Sequence, residues 1–376
     1  MRRGVFCFGA TVVIAYAQLA FSQTTTNPDL SVIPRFRLES DNAKNSGDEL
    51  KFGSPRFDLE ETEIAIQGYL NPFARADIFL TKPGGGSEPI EIEEAYATFV
   101  RGLPGDLNVR IGKFKAEFGK LNPQHPHAWP FLTMPLVLDR FLGDGANDLG
   151  ISASLILPTG DFYSRLNVDF LKGTTVQQID PMSGDVAGGM GLKDLSNSKT
   201  YSAVAARAMC FVPVQESSDL ELGLSGMNGI HDPYNKYRFT YANLDFKYKW
   251  KPDAYTSLTV QGEALMNWRT IAVGNPLAPT GSADMQSSGF YVYGDYQFQK
   301  IFTIGARYDR AQAPYSKDDG AYAFSIFAGY YPVEVSTALR LQLQRTSTDA
   351  GGVTTNVNMI AVQFMFSLGP HKAHPF

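Results

Sequence analysis

The sequence predicts an all-β chain, a transmembrane antiparallel β-barrel of about sixteen strands with short turns on one rim and long loops on the other. Three observations predict it. Apolar and polar residues alternate with a period of two along most of the chain. The connections between these runs alternate short and long. No run of about 20 apolar residues, the length a membrane-crossing helix needs, follows residue 22.

The clearest run is the last, Asn356 to Leu368, NVNMIAVQFMFSL. Ile360, Val362, Phe364, Phe366 and Leu368 fall on one face, with Ala361, Gln363 and Ser367 on the other. Such spacing describes a strand with one face in an apolar medium. About ten tilted residues of this kind cross the hydrocarbon layer. In a barrel this last strand closes on the first, so no edge is left unpaired.

The chain begins with a segment of another kind. Arg2 and Arg3 precede the apolar stretch Gly4 to Ala20, and Ala20-Phe21-Ser22 fits a small-x-small cleavage rule. Residues 1–22 therefore read as a secretory signal. The rival, a buried N-terminal helix, lacks the polar face it needs. Cys7 leaves with the signal and Cys210 stays alone, so no intramolecular disulfide is expected. Residues 23–376 show no linker and no shift in composition, which predicts one barrel domain. Charged residues make up 19% of the chain, below the roughly 25% of soluble domains. The net charge of −5 argues against a nucleic-acid partner.

The predicted strands are 31–40, 57–69, 72–81, 91–101, 105–114, 148–157, 161–172, 200–212, 218–229, 236–250, 254–268, 287–299, 300–311, 320–332, 333–346 and 355–368. In the fifth, Leu107, Val109 and Ile111 oppose Asn108, Arg110 and Gly112. In the seventh, Phe162, Leu166, Val168 and Phe170 oppose Arg165, Asn167 and Asp169. In the tenth, Leu244, Phe246, Tyr248 and Trp250 oppose Asn243, Asp245, Lys247 and Lys249. Lipid on one side and water on the other is the simplest cause. In 57–70 the apolar parity switches near Glu61, which requires either a bulge or a strand that leaves the membrane.

Short connections such as Leu70-Asn71-Pro72, Pro158-Thr159-Gly160 and Lys251-Pro252-Asp253 carry turn formers. The expected long ones are 41–56, 82–89, 115–147, 173–199, 230–235, 269–286, 312–319 and 347–353. A soluble sandwich or propeller has no need of so regular an alternation. Tyr69, Phe99, Trp250, Phe298, Phe302, Tyr330 and Tyr331 flank short turns, as an interfacial aromatic girdle would.

The longest connection, 115–147, is the third of the long loops. Trp129, Phe131, Met134, Leu136, Val137, Leu138, Phe141 and Leu142 make it too apolar for free solution. Pro123, Pro126, Pro130 and Pro135 oppose a long helix, although Pro135 to Leu142 allows a short one. Folding into the lumen covers these side chains and narrows the channel. The alternative is a cap packed on neighbouring outer loops.

With a signal peptide, alternating strands, a long third loop and Gly112-Lys113-Phe114 before it, the chain resembles bacterial outer-membrane porins. The broader pattern is similar to phosphate-selective porin O/P-like proteins. That resemblance implies a Gram-negative outer membrane, surrounding lipid, an inward third loop at the constriction and a homotrimer. The sequence departs from it in two ways. Its lumen is mixed in sign rather than rich in Lys, and residues 369–375 separate Phe376 from the last strand.

The residues assigned to the pore lining are Arg75, Asp77, Arg110, Arg165, Asp169, Arg207, Asp245, Lys247, Glu263, Asp295, Arg307, Asp309 and Arg340, with Glu61, Glu63 and Glu221 as further inward acids. Facing rows of opposite charge set a transverse field across a narrow lumen. The alternative is that they pair and brace the wall. Of the five His, His125 and His127 share the long loop, while His371 and His374 lie in the tail. Two imidazoles with no Cys and no clear carboxylate between them make a weak metal site, so no metal or cofactor is expected. There is no Gly-x-Ser-x-Gly and no His-Glu-x-x-His, and His231-Asp232 lacks an evident Ser. The reading is a porin that passes small hydrophilic solutes or ions, not an enzyme. The alternatives are a phosphate- or anion-selective channel, or a non-conducting barrel with a structural, adhesive or lipid-modifying role.

Overall fold

The computed structural model describes residues 28–43, 51–84, 86, 88–160, 162–176, 201–275, 278–333 and 336–370. The expected signal (1–22), the tail histidines, Phe376 and most of 173–199 lie outside the described residues.

Among the described residues, sixteen antiparallel strands close into one barrel. They are β1 (Asp29–Asp41), β2 (Arg56–Asn71), β3 (Ala74–Pro83), β4 (Glu91–Phe99), β5 (Leu107–Lys115), β6 (Asn147–Leu157), β7 (Tyr163–Leu171) and β8 (Ala203–Gln215). The second half is β9 (Ser218–Asp232), β10 (Tyr237–Trp250), β11 (Ser257–Asn275), β12 (Ala278–Phe298), β13 (Phe302–Ala313), β14 (Ser316–Val333), β15 (Thr337–Ala350) and β16 (Val353–Phe366). Every strand pairs with its sequence neighbours. The ring closes between β1 and β16, from Arg35 opposite Met365 to Asp41 opposite Met359. Closure gives both first and last strands a partner for their N–H and C=O groups, which hydrocarbon cannot supply.

Burial is inverted relative to a water-soluble domain. Phe170, Leu224, Leu244, Ile304, Phe324 and Leu339 are exposed on the outer face. Asp169, Arg207, Glu263, Arg307, Asp309 and Arg340 are buried on the inner one. An outer surface this apolar is stable only against an apolar solvent. Cys210 lies opposite Leu222, on the same outward parity, and is half-buried. Near the short turns the rings stack: Phe298 on Phe302 at 5.5 Å and Phe302 on Tyr330 at 5.2 Å. Tyr331 does not belong to that girdle. It follows Tyr330 on the strand, so it points the other way and lines the lumen beside Thr303 and Met365.

The parity switch in β2 is a bulge. Arg35 pairs with Glu61 and Phe36 with Leu59, which leaves Glu60 as the extra residue. Both acids then face the lumen, with Arg35 3.8 Å from Glu60 and 3.1 Å from Glu61.

Most later outer connections depart from the expected boundaries. The segments 269–286, 312–319 and 347–353 are not long loops but the ends of long hairpins. The 19 residues of β11 and the 21 of β12 far exceed what a bilayer requires. Their far ends stand in water on both sides, and Thr280 to Asp284 are all exposed. With both faces wet, the period-two signal that marks a strand disappears.

Candidate constriction in the barrel lumen

The segment 115–147 folds into the lumen. At its root, Asn122 holds both chain directions together. Its amide donates to the Ala116 carbonyl at 2.7 Å and its Oδ1 accepts from the Ala146 N–H at 2.8 Å. The next stretch runs across the wall, and alternate backbone N–H groups are taken by luminal side chains. Glu117 N–H donates to Asp169 (2.8 Å), Gly119 to Ser225 (3.0 Å) and Leu121 to Glu263 (2.8 Å). Gly119, at φ 68°, passes so close to the wall that a Cβ there would sit 2.1 Å from the Glu263 carboxylate. A loop at this depth has to satisfy its backbone somewhere, and these wall residues do it.

Beyond a 3-10 turn at Pro126–Ala128, the loop reaches the wall at β13 and β15. Leu132 N–H donates to Gln342 at 2.6 Å. Arg307 donates to the Thr133 carbonyl (2.6 Å) and hydroxyl (2.9 Å). The same guanidinium lies 4.2 Å from the centre of the Phe131 ring. The short helix α1 (Leu136–Leu142) follows, in the stretch after Pro135 that allows one. Its Phe141 stacks on Tyr241 at 5.8 Å, and the Tyr241 hydroxyl donates to the Phe141 carbonyl at 2.9 Å.

The loop's apolar side chains are covered by inward aromatics. Phe131 meets Tyr293 and Phe327 edge-on, at 5.2 and 5.9 Å. Tyr291 and Phe239 are buried beside them. Sequence reasoning sent aromatics outward and missed this set. A signal was present: Tyr291 and Tyr293 share the parity of Asp295, a residue assigned to the lumen.

All thirteen residues assigned to the pore lining sit on the inner face, but most are engaged in pairs rather than in facing rows. Arg75 bonds Asp77 on its own strand at 2.8 Å. Arg165 reaches Glu117 of the loop at 2.9 Å. Arg207 lies between Asp245 (2.6 Å) and Glu221 (3.3 Å), and Lys120 of the loop adds to Glu221 at 2.6 Å. Arg307 pairs with Asp309 at 2.8 Å, with both side chains fully buried. Arg340 donates to Gln363 at 3.0 Å and to the carbonyls of His127 and Trp129. Asp169 and Glu263 accept the loop N–H groups described above. Arg110 stacks over the Tyr96 ring at 4.6 Å. Lys247 and Asp295 line an open cavity.

Two cavities flank the loop. One of about 530 Å³ has Glu61, Glu93, Lys115 and Asn122 in its wall. The other, of about 360 Å³, holds His127, Lys247, Asp295 and Tyr331. Trp129 lines both, so the loop at this residue is the partition between them.

The histidine pair is not short of carboxylates. Strand pairing places Glu63 of β2 and Glu93 and Glu94 of β4 around it. His125 Nδ1 is 3.0 Å from Glu63 and 3.3 Å from Glu93, and its Nε2 is 2.8 Å from Glu94. His127 Nδ1 is 3.2 Å from the same Glu63 oxygen. Burial and Lys115 push the His125 pKa down, Glu63 and Glu93 push it up, and the carboxylates prevail, leaving it well above the ordinary range. The acids lie some thirty to sixty residues upstream, out of reach of any local motif. His231, by contrast, is a buried strand-end residue 2.8 Å from the Thr270 carbonyl.

No protein-family model matches the chain. An uncharacterized protein of Aquifex aeolicus (strain VF5) is 26% identical over 398 residues, covering 96% of this chain and 82% of that one. Among solved structures, the anion-selective porin from Comamonas acidovorans superposes with a TM-score of 0.58 at 12% identity, over 91% of this chain and 99% of that one. The outer membrane channel DcaP of Acinetobacter baumannii gives 0.57 at 11% identity, over 92% and 99%. The trimer form of OmpT, an outer membrane protein of Vibrio cholerae, gives 0.53 at 8% identity, over 91% and 100%. The fold is that of these outer-membrane barrels.

Proposed function

We propose that the protein is a porin in the outer membrane of a Gram-negative cell. It passes small hydrophilic solutes or ions by passive diffusion. The observation that carries this reading is the third long loop, held across the lumen between two cavities. Several of the wall residues that hold it, Asp169, Glu263, Arg307 and Arg340 among them, are also charged residues of the lining. Passage then depends on size and field at the partition near Trp129 rather than on tight binding. The apolar exterior supports residence in lipid, and the shared fold supports the channel class. A homotrimer fits the trimer form of one structural relative.

A specific feature favours anions over cations at one mouth. Lys247, Lys249 and Lys251 line a cavity of about 300 Å³ with only Asp219 and Glu221 as acids. One of the structural relatives is described as an anion-selective porin.

Swelling of vesicles that hold the purified, folded barrel tests the diffusion claim. Small sugars should enter at rates that fall steeply with size, and a large polysaccharide should be excluded. Vesicles that swell no faster than protein-free ones would overturn it.

A further inference from the structure

We propose that Glu63, His125 and His127, with Glu93 beside them, form a binding site for a divalent metal ion of the zinc class. The site joins the third long loop to β2 and β4. Three donor atoms from Glu63, His125 and His127 lie within 4.8 Å of one another, and all three residues are buried. The imidazole Nδ1 atoms converge on one oxygen of Glu63 at 3.0 and 3.2 Å, and Glu93 comes within 3.3 Å of His125. A tetrahedral ion with bonds of 2.0–2.1 Å holds its ligand atoms roughly 3.3 Å apart. The pairs His125–Glu63, His127–Glu63 and His125–Glu93, at 3.0 to 3.3 Å, are already near that edge length.

Independent observations point to a ligand here. Glu63 Oε2, Glu93 Oε2 and His125 Nδ1 are buried and make no hydrogen bond of acceptable geometry. They are aimed at one another without the alignment a proton bridge requires. The outer nitrogen of His125 is already fixed. Its Nε2 faces Glu94 at 2.8 Å, and Glu94 is held in turn by the Lys115 N–H at 2.9 Å. That carboxylate–imidazole arrangement leaves Nδ1 as the metal-facing atom. The ring of Phe79 packs 4.7 Å from His125 and shields the cluster.

The donor set selects the metal. Two imidazoles and carboxylates suit zinc, copper or nickel, whereas calcium and magnesium prefer all-oxygen shells. Charge also balances. With neutral imidazoles, the three charges of Glu63, Glu93 and Glu94 are offset by a divalent ion together with Lys115, whose ammonium lies 2.7 Å from Glu93. Entry is available from both sides, since Glu93 and Pro126 line one cavity and His127 the other.

The test uses the full-length folded barrel, stripped with a chelator and equilibrated with Zn²⁺ alone, with metal per chain measured by atomic emission. About one ion per chain is expected. Replacing both tail histidines (His371→Ala with His374→Ala) should leave it bound. Glu63→Gln and His127→Ala should abolish it, and Glu94→Gln should weaken it roughly 10–100-fold. Should those variants fail to fold, Co²⁺ in the wild-type barrel decides. An intense visible spectrum of four-coordinate cobalt supports the site, and the weak spectrum of six-coordinate cobalt overturns it. Absence of zinc in the folded wild type, or unchanged affinity in Glu63→Gln and His127→Ala, overturns it too and leaves the cluster as ion pairs. None of these readouts depends on conductance, so the site stands or falls apart from the porin reading.

Discussion

Arg307 shows how a single luminal side chain serves both wall and loop. It bonds Asp309 on its own strand, holds Thr133 of the loop, and lies over Phe131. Arg307 and Asp309 are both fully buried, so removing one charge strands the other. Arg307→Met should therefore lower stability by about 3–5 kcal/mol. The double variant with Asp309→Asn should lose much less than the sum of the two single changes. Urea unfolding of vesicle-inserted barrels measures this, and strict additivity would contradict it. At this scale the sequence was informative about direction and silent about partners. Alternation told which way Arg307, Asp309 and Arg207 point, because that depends only on parity. It could not tell that Arg307 meets Thr133, a residue 174 positions away. For the same reason Glu63 stayed invisible to His125.

Element by element, legibility followed the surrounding medium. Where one face meets hydrocarbon and the other water, as in β7 and β16, period-two contrast is strong, and the expected strands fall within a few residues of the observed ones. The upper halves of β11 and β12 have water on both faces, so Ala272 to Ser282 carry no contrast and read as loop. The bulge at Glu60 was legible as a broken parity, with its cause resolved only by the pairing of Arg35 and Phe36. These hairpin ends bury little. Deleting residues 272–282 and closing the strands with a two-residue turn should therefore leave the unfolding free energy of the barrel in urea nearly unchanged, within about 0.5 kcal/mol. A loss of several kcal/mol would show that the projecting hairpin supports the barrel itself.

As a whole molecule, the barrel carries its apolar surface outside and its charge inside, and among the described residues the segment 115–147 forms the partition. Closure between β1 and β16 sets the outline, and in the proposed reading the loop sets what passes through it. The loop has its own small core, formed by Phe131, Phe141 and the inward rings of Tyr241, Tyr293 and Phe327. We propose that a narrow open passage runs past this partition. Single-channel recording in a planar bilayer under a KCl gradient tests it directly. The wild-type barrel should show discrete conductance steps with a modest reversal potential of anion sign, as expected from Lys247, Lys249 and Lys251. Shortening the loop between Pro126 and Thr133 should enlarge the steps. A correctly folded barrel that shows no steps, with or without the shortened loop, would contradict the account.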